Sequence, residues 1–347
     1  MIKFVEKSPI DFHDIESILS ESSQTGWFAN NGPAKINLER YLANLLNLPK
    51  SKKVLCCSSG TSALHALMMY YSKSVEHEFK WASPSFTFPS CAVGNFSCTF
   101  FDICDSTYTL PLVPEDLSEF DGVIITNLFG TYPDNLLEWE KHCKTSGKVL
   151  LLDNASSFMT TISGDNICTF GDASFGSLHH TKFMGFGEGG FVVVDAESYE
   201  NVSSITSFGF KNNPGGKREY SENSSNFKMS DVSAAFIHSH MLKYDICRHL
   251  DIQDRFLKSI SGIEDCKAFN FLDGVVYGNF PVVFSKSMSC EFFHERGIEA
   301  KKYYSPLSPH KNSENLYDRM INFPLNCLLK ERDINSIIVS IKEAALL

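Results

Sequence analysis

The sequence predicts an α/β fold with a mostly parallel central sheet, because short apolar runs alternate with helical stretches along its first two thirds. Several runs are apolar throughout, as expected for strands that helices cover on both faces. The predicted strands are KVLCCS (53–58), WASPS (81–85), CTFFDI (98–103), GVIITNLF (122–129), KVLLLD (148–153), ASFGSL (173–178) and GFVVVD (190–195). After the first run, a Gly-Thr-Ser turn leads into ALHALMMYY, which has the spacing of a buried helix.

The last third of the chain predicts a smaller unit. Ser230 and Asp231 are suited to begin a helix, and we expect one long helix to continue through VSAAFIHSHMLKYDICRHL. The stretch 210–226 is rich in Gly, Asn and Ser and predicts a long functional loop. We therefore expect a large α/β domain at 1–245, including an N-terminal segment, and a small C-terminal α+β domain at 246–347.

Composition argues against several classes of protein. The 347 residues carry a formal net charge of −10, so the chain lacks the basic surface that nucleic acid requires. Its 11 cysteines are scattered and form no CxxC pair, which predicts reduced thiols and no metal site. The N-terminus has no signal-peptide pattern, and no apolar run has the length of a membrane span, so we expect a soluble cytoplasmic protein. Neither a GxSxG nor a GxxxxGK[ST] motif supports a hydrolase or nucleotide triphosphatase.

The most informative segment is SLHHTKFMGFGEGG (177–190), in which Lys182 lies between a strand end and a glycine-rich turn. Upstream, Asp153 closes the apolar strand KVLLLD. A Schiff-base cofactor needs an amine for its aldehyde, a carboxylate for its pyridine nitrogen and a cradle for its phosphate. This combination predicts pyridoxal 5'-phosphate (PLP) as cofactor. The alternatives are a solvated loop lysine at 182 and a helix-capping aspartate at 153.

Residues for the phosphate and for the ring can also be named. Gly60, Thr61 and Ser62 begin a predicted helix, where free amide groups and the helix dipole attract an anion. Ser177 ends the strand that leads to the lysine and offers a further hydroxyl. Phe88, in SPSFTFPS, is suited to lie against the cofactor ring. The alternative for the residues that begin the helix is a simple helix cap, and the alternative for Phe88 is core packing.

Motifs along most of the chain resemble, in order and approximate spacing, the DegT/DnrJ/StrS family of PLP-dependent nucleotide-sugar aminotransferases. The strongest match is SLHHTKFMGFGEGG, which is similar to the family's SFHPTKNLGAGEGG. The other matching motifs are SSGTSAL, SPSFTFPS, FFDI, NLFGTYPD, LLLDNASS and SSNFKMSDVSAAF. The resemblance implies a PLP-dependent transferase fold of the aspartate aminotransferase type.

The family's functional residues can be assigned to matching positions. The resemblance implies that Lys182 is the Schiff-base lysine, that Asp153 pairs with the pyridine nitrogen and that Phe88 stacks on the ring. It further implies a phosphate site formed by Thr61, Ser62 and Ser177. Asn226, in SSNFKMS, matches the asparagine that reaches the phosphate of the neighbouring subunit, so a homodimer with shared active sites is expected.

Three positions depart from the family pattern. Ser156 stands where the family commonly has a glutamine that contacts the ring hydroxyl of the cofactor, and a shorter side chain needs a water or a neighbour there. His180 replaces a proline, and Lys228 replaces an arginine with loss of bidentate geometry. Family members that dehydrate sugars have histidine at the lysine position, so the lysine retained here favours transamination.

The segments TGWFANNGPAKINLERYLANLL and AKKYYSPL resemble the subgroup that aminates C4 of a nucleotide-linked 4-keto-6-deoxy sugar, with an amino acid donor that we expect to be L-glutamate. This resemblance suggests residues for the nucleotide-sugar pocket: Asn30, Asn31, His179, Lys211, Arg218 and Tyr303. Amination at C3, sugar dehydration and a non-catalytic protein that binds sugar nucleotides remain open alternatives. The sequence does not specify the nucleotide.

Overall fold

The computed structural model describes residues 1–73, 75–113, 117–212 and 218–347, except for the side chains of 211, 212, 218 and 219. Its helices are α1 Phe12–Ile18, α2 Ser20–Thr25, α3 Pro33–Leu45, α4 Gly60–Ser72, α5 Leu136–Ser146, α6 Tyr199–Ile205, α7 Asp231–Leu242, α8 Ile246–Ile260, α9 Glu291–His294, α10 Lys311–Arg319 and α11 Glu331–Leu346. Its strands are β1 Lys52–Cys57, β2 Lys80–Pro84, β3 Ser97–Phe101, β4 Gly122–Thr126, β5 Val149–Asp153, β6 Thr161–Ile162, β7 Asp165–Asn166, β8 Ala173–Ser177, β9 Gly190–Asp195, β10 Lys211–Asn212, β11 Arg218–Glu219, β12 Cys266–Ala268, β13 Phe280–Phe284 and β14 Met320–Phe323.

Within the described residues, one seven-stranded sheet has the order β1-β9-β8-β5-β4-β2-β3. Strand β9 is antiparallel to both of its neighbours, and the other adjacent pairs are parallel. Every strand predicted from an apolar run is present in this sheet, so the predicted α/β class is confirmed. The run predicted through Phe129 ends earlier, at Thr126, because the chain then turns and Phe129 adopts a φ of 57°.

Alternating side chains place the sheet between two apolar layers, since successive residues of a strand point to opposite faces. Val54 and Ile125 belong to one buried cluster, whereas their neighbours Leu55 and Ile124 belong to another. The parallel strands are therefore covered by apolar side chains on both sides.

A third apolar cluster surrounds the three-stranded sheet β12-β13-β14 and draws its buried residues from positions between Ile252 and Ala345. The N-terminus joins this region, because Ile2 pairs with Ile298. The domain boundary that we place between 245 and 246 stays a prediction. Among the helices of the described residues, none has the length and apolar character needed to cross a membrane.

The predicted long helix after residue 230 is wrong, because the structure has two helices, α7 and α8. Ser230 caps α7 as expected, its Oγ accepting from Ser233 N at 3.1 Å. The chain then breaks before Asp245, whose carboxyl group accepts from Arg248 N at 2.9 Å and begins a second helix. A second N-cap inside an apolar pattern thus interrupts the helix.

Strand β10 pairs with strand β11 in the polar stretch 210–226, which was predicted to be a loop. Residues 213–217 of that stretch lie outside the described residues.

Candidate active site

The carboxyl ends of β1, β2, β4, β5 and β8 meet at one edge of the large sheet, which is where α/β proteins bind ligands. A cavity of about 440 Å³ lies at this edge. It brings together most of the residues predicted for the site, from segments far apart in the chain: Gly60, Thr61, Phe88, Asp153, Ser156, Ser177, His179, Lys182 and Tyr303.

Lys182 reaches the cavity from the loop that joins β8 to β9. Its Nζ donates to Ser156 Oγ at 2.9 Å. Burial lowers the pKa of the amine, while the nearby Asp153 carboxyl acts in the opposite direction. The neutral, nucleophilic form of this amine is thereby more accessible than that of a surface lysine.

Asp153 is the last residue of β5 and is 4% exposed. Burial raises the pKa of its carboxyl group to about 6, although Ala155 N donates to Oδ1 at 2.9 Å and Lys182 favours the charged form. The bond to Ala155 stabilises the chain after the strand, as the helix-capping alternative supposed. Residues 154–160, which the structure describes, form turns instead of a helix, and the Asp153 carboxyl group lines the cavity.

An anion cradle is formed where β1 leads into α4. The amides of Gly60 and Thr61 are the first two of the helix and have no acceptor within it. A Cβ at Gly60 would lie 3.0 Å from Ser177 Cβ, and one at Gly190 would lie 2.5 Å from Gly60 N. Gly190 is therefore needed for the close approach of β9 to the helix start, and a side chain at position 60 would be in tight contact with Ser177.

Ser62 does not line the cavity with its neighbours. Its Oγ accepts from Ser59 N at 2.8 Å, and its own amide donates to Ser59 Oγ at 3.0 Å. This reciprocal pair is a capping box, so Ser62 takes part in the helix cap, and its role at the phosphate stays a prediction. Ser59, which the sequence analysis did not select, lines the cavity instead. Its position immediately before Gly60 is the signal that could have identified it.

Aromatic side chains form one wall of the cavity. Phe88 is 49% exposed, with its ring edge-on to Tyr304 at 6.0 Å between centroids. Tyr304 stacks on Phe129 at 5.5 Å, and its hydroxyl is hydrogen-bonded to Ser156. Burial raises the pKa of both Tyr303 and Tyr304. Tyr303 was predicted from the sequence, whereas the adjacent Tyr304 was not.

His179 lies beside the lysine loop and lines the cavity. Its Nδ1 is 2.8 Å from Thr181 Oγ1, and its Nε2 is 3.4 Å from Glu188 Oε1. The Thr181 amide also donates to Nδ1 at 3.2 Å. These contacts leave the imidazole at the rim of the cavity, between the loop and solvent.

Several predicted residues lie elsewhere. Asn226 is exposed, does not line the cavity and accepts from Lys228 Nζ at 2.6 Å. Asn31 is also exposed and accepts from Lys35 Nζ at 2.8 Å, while Asn30 precedes it with a φ of 53°. The side chains of Lys211 and Arg218 lie outside the described residues.

These residues fit PLP on features of the cavity itself. The Oδ1 atoms of Asn127 and Asn279 are buried without a donor among the described residues, and both side chains line the cavity. The glycine cradle offers an anion two amides, while a buried carboxyl group and a partly desolvated amine lie beyond it. Within the described residues, no group of three or more His, Cys, Asp or Glu side chains is placed to hold a metal ion.

Known proteins of similar sequence include the dTDP-4-amino-4,6-dideoxy-D-glucose transaminase of Shigella dysenteriae, which is 24% identical over 92% of each chain. The GDP-perosamine synthase of Vibrio cholerae is 22% identical over 91% of this chain and 89% of its own. The crystal structure of the aminotransferase TlmJ from Streptoalloteichus hindustanus has a similar fold, with a TM-score of 0.84, 19% identity and coverage of 100% of this chain and 99% of the other. A family model matches residues 10–342, nearly the whole sequence. This chain therefore belongs to the DegT/DnrJ/EryC1/StrS aminotransferase family.

Proposed function

We propose that this aminotransferase uses PLP to move the amino group of an amino acid, L-glutamate in our proposal, to a nucleotide-linked 4-keto-6-deoxy sugar, giving a 4-amino-4,6-dideoxy sugar. The observation that carries the proposal is the meeting of the Lys182 amine, the Asp153 carboxyl group and the glycine cradle in one cavity. Family membership supports both the reaction class and the cofactor.

The cofactor would be held at three points. The Lys182 amine would bond its aldehyde carbon, Asp153 would accept from its ring nitrogen, and the amides of Gly60 and Thr61 would donate to its phosphate. Ser59 and Ser177 add hydroxyl groups beside those amides, and Phe88 provides an apolar face. When bound, PLP supplies an electron sink for negative charge that develops on the carbon next to the reacting nitrogen.

The proton transfers fall to Lys182. Once the amine of the amino acid donor has freed Lys182, the Lys182 Nζ takes the proton from the donor's α carbon. It later delivers a proton to the former keto carbon of the sugar. Its lowered pKa favours the neutral base at the start of the first step. Asp153 keeps the ring nitrogen protonated, because an ionised carboxyl group stabilises the neighbouring positive charge.

The names of two relatives support a nucleotide sugar as amino acceptor. One name specifies dTDP-4-amino-4,6-dideoxy-D-glucose and the other GDP-perosamine, so they do not agree on the nucleotide. The aromatic wall formed by Phe88 and Tyr303 offers apolar faces of the kind that sugars and bases contact. We assign His179 to the sugar side of the cavity because it lies at the rim. Asn31, Lys211 and Arg218 stay proposed contacts to the nucleotide.

The decisive experiment incubates the purified protein with PLP, glutamate and either a dTDP- or a GDP-linked 4-keto-6-deoxy sugar. We expect 2-oxoglutarate and an amino sugar, identified by mass and with the amine at C4 by NMR. Lys182→Ala should abolish both turnover and the visible absorbance of lysine-bound cofactor. An amine at C3, a dehydrated sugar or binding without turnover would each identify a different function, and near-normal turnover by Lys182→Ala would overturn the proposal.

A further inference from the structure

The loop that carries Lys182 is held partly by its own backbone. Lys182 N donates to His179 O at 2.8 Å, and Gly185 N donates to Lys182 O at 3.0 Å. The turn therefore fixes the lysine from one side, through bonds within the segment 179–185. A second contact comes from a distant part of the chain.

That contact is made by Lys7, which lies in the N-terminal segment before α1. Its Nζ donates to Lys182 O at 2.6 Å and lies 3.4 Å from Phe183 O. Among the described residues, Lys7 forms no ion pair with a carboxyl group, so its charge is directed to these two carbonyl groups. The first bond is as short as charge-assisted hydrogen bonds typically are.

The N-terminal segment is itself anchored beside the cavity. Ile2 N donates to Gly297 O at 2.6 Å, and Phe4 N donates to Glu299 Oε2 at 2.9 Å. The buried Phe4 ring lines the cavity and packs edge-on against Tyr303 at 5.8 Å. Lys7 therefore extends from a segment that is held by Gly297 and Glu299 on one side and by Tyr303 of the aromatic wall on the other.

Lys7 is partly buried and lies next to three other titratable groups. Burial lowers the pKa of its amine to about 8. The titratable groups that face it are His180 on the same loop, His240 on α7 and the Cys327 thiol. The Cys327 thiol favours the charged form of Lys7, and among the described residues no carboxyl group pairs with the amine, so the carbonyl groups are its principal partners.

We propose that Lys7 is a positioning residue for Lys182: by binding the carbonyl groups of Lys182 and Phe183, it sets the direction in which the Lys182 side chain enters the cavity. The inference rests on the proposed function of Lys182. Misplacement of a reacting group by about 1 Å can reduce the rate by about a hundredfold, so a backbone clamp of this kind affects chemistry more than substrate binding.

The test compares wild-type protein with Lys7→Met, Lys7→Arg and the control Lys3→Met, an exposed lysine of the same segment. For Lys7→Met we expect kcat to fall roughly tenfold to a hundredfold with KM changed less than about twofold. The Kd of the apoenzyme for PLP should rise by about fivefold or more, which means weaker binding. The pH midpoint at which the visible absorbance of the lysine-bound cofactor changes should also shift. Lys7→Arg, which keeps the charge, should recover most of each loss, and Lys3→Met should match wild type.

The inference fails if Lys7→Met matches Lys3→Met in kcat, Kd and spectral titration while Lys182→Ala loses the visible band. If Lys182→Ala keeps that band, the proposed function fails and this inference fails with it. Should Lys7→Met not fold, Lys7→Gln retains a neutral donor and should give intermediate losses. Wild-type values for Lys7→Gln would likewise overturn the proposal.

Discussion

At the scale of single residues, Ser156 shows what the sequence could and could not reveal. The sequence shows that Ser156 replaces the glutamine common in the family. It also indicates that the shorter side chain needs a neighbour to reach the ring hydroxyl of the cofactor. The neighbour is Tyr304, whose hydroxyl is bonded to Ser156 while Lys182 Nζ donates to the same serine. No local pattern links positions 156 and 304, so only the folded chain identifies this pair.

The carboxyl group of Asp153 gives a pH prediction. Burial raises its pKa to about 6, so the apoenzyme carries a protonated, neutral carboxyl group below that pH. The neutral form cannot hold the positive charge of the ring nitrogen. We therefore expect the affinity of the apoenzyme for PLP to fall as pH drops through 6, by up to about tenfold per unit because one proton must be released.

Asp153→Asn removes this titrating group and should flatten the pH dependence to the part that the cofactor's own phosphate contributes, since that group also titrates at about pH 6. Turnover should fall by roughly a hundredfold or more. Absorbance titration of apoenzyme with PLP between pH 5 and pH 8 measures the effect. Asp195→Asn, at an exposed strand end, is the matched control and should follow wild type. Equal affinity and equal pH dependence in Asp153→Asn and wild type would contradict this role.

At the scale of elements, apolar runs predicted the strands well because burial on both faces selects the residue types directly. The break between α7 and α8 was missed because apolar spacing continues across it. Asp245, three residues before Arg248, was the available signal, since the carboxyl group of a helix N-cap accepts from the amide three residues on. Ser62 shows a related limit, since a helix cap and a phosphate ligand look alike in sequence, and its predicted contact to the phosphate stays untested.

The start of α3 depends on a residue of α7. The buried carboxyl group of Asp231 accepts from Ala34 N at 3.0 Å, from Lys35 N at 3.1 Å and from Ser22 Oγ at 2.6 Å. A Cβ at Gly32 would lie 2.4 Å from Asp231 Oδ2, so glycine is needed at that approach. One carboxyl group thus satisfies the first amides of a helix whose residues lie 197 and 196 positions away in the chain.

We expect Asp231→Ala to reduce the free energy of unfolding by about 2–4 kcal/mol, because several buried donors lose their acceptor. Asp245→Ala is the comparison, since it removes a single exposed cap bond and should cost about 1 kcal/mol. Thermal and urea unfolding followed by circular dichroism measure both variants. Equal losses would show that the buried network adds nothing beyond an ordinary cap.

At the scale of the whole molecule, the cavity combines residues from both ends of the chain, such as Phe4 and Tyr304, with the central Lys182 loop. Most of its lining residues lie in segments that carry the family motifs, although only nine of them were predicted individually. The motifs did not predict the N-terminal contribution, because a short segment without periodicity gives no indication of its destination. Asn226 is the opposite case: it was predicted for the site, but it is exposed and does not line the cavity of its own chain.

That placement is what the proposed homodimer requires if Asn226 serves the phosphate of the neighbouring subunit. We expect Asn226→Asp to reduce turnover strongly, because a carboxyl group would repel the phosphate, and light scattering should give the mass of two chains. Mixed dimers of the inactive variants Lys182→Ala and Asn226→Asp then contain one site with both native residues. Random association should restore about a quarter of wild-type activity, since half of the dimers are mixed and each has one intact site.

The control mixes Lys182→Ala with Lys182→Arg, which share the same defect and should recover nothing. If Asn226 instead acted within its own chain, each site of a mixed dimer would keep one defect. Recovery would then be absent in both mixtures, and a monomer by light scattering would equally contradict the shared site. Activity restored only in the Lys182→Ala and Asn226→Asp mixture therefore requires each subunit to complete the phosphate site of its partner.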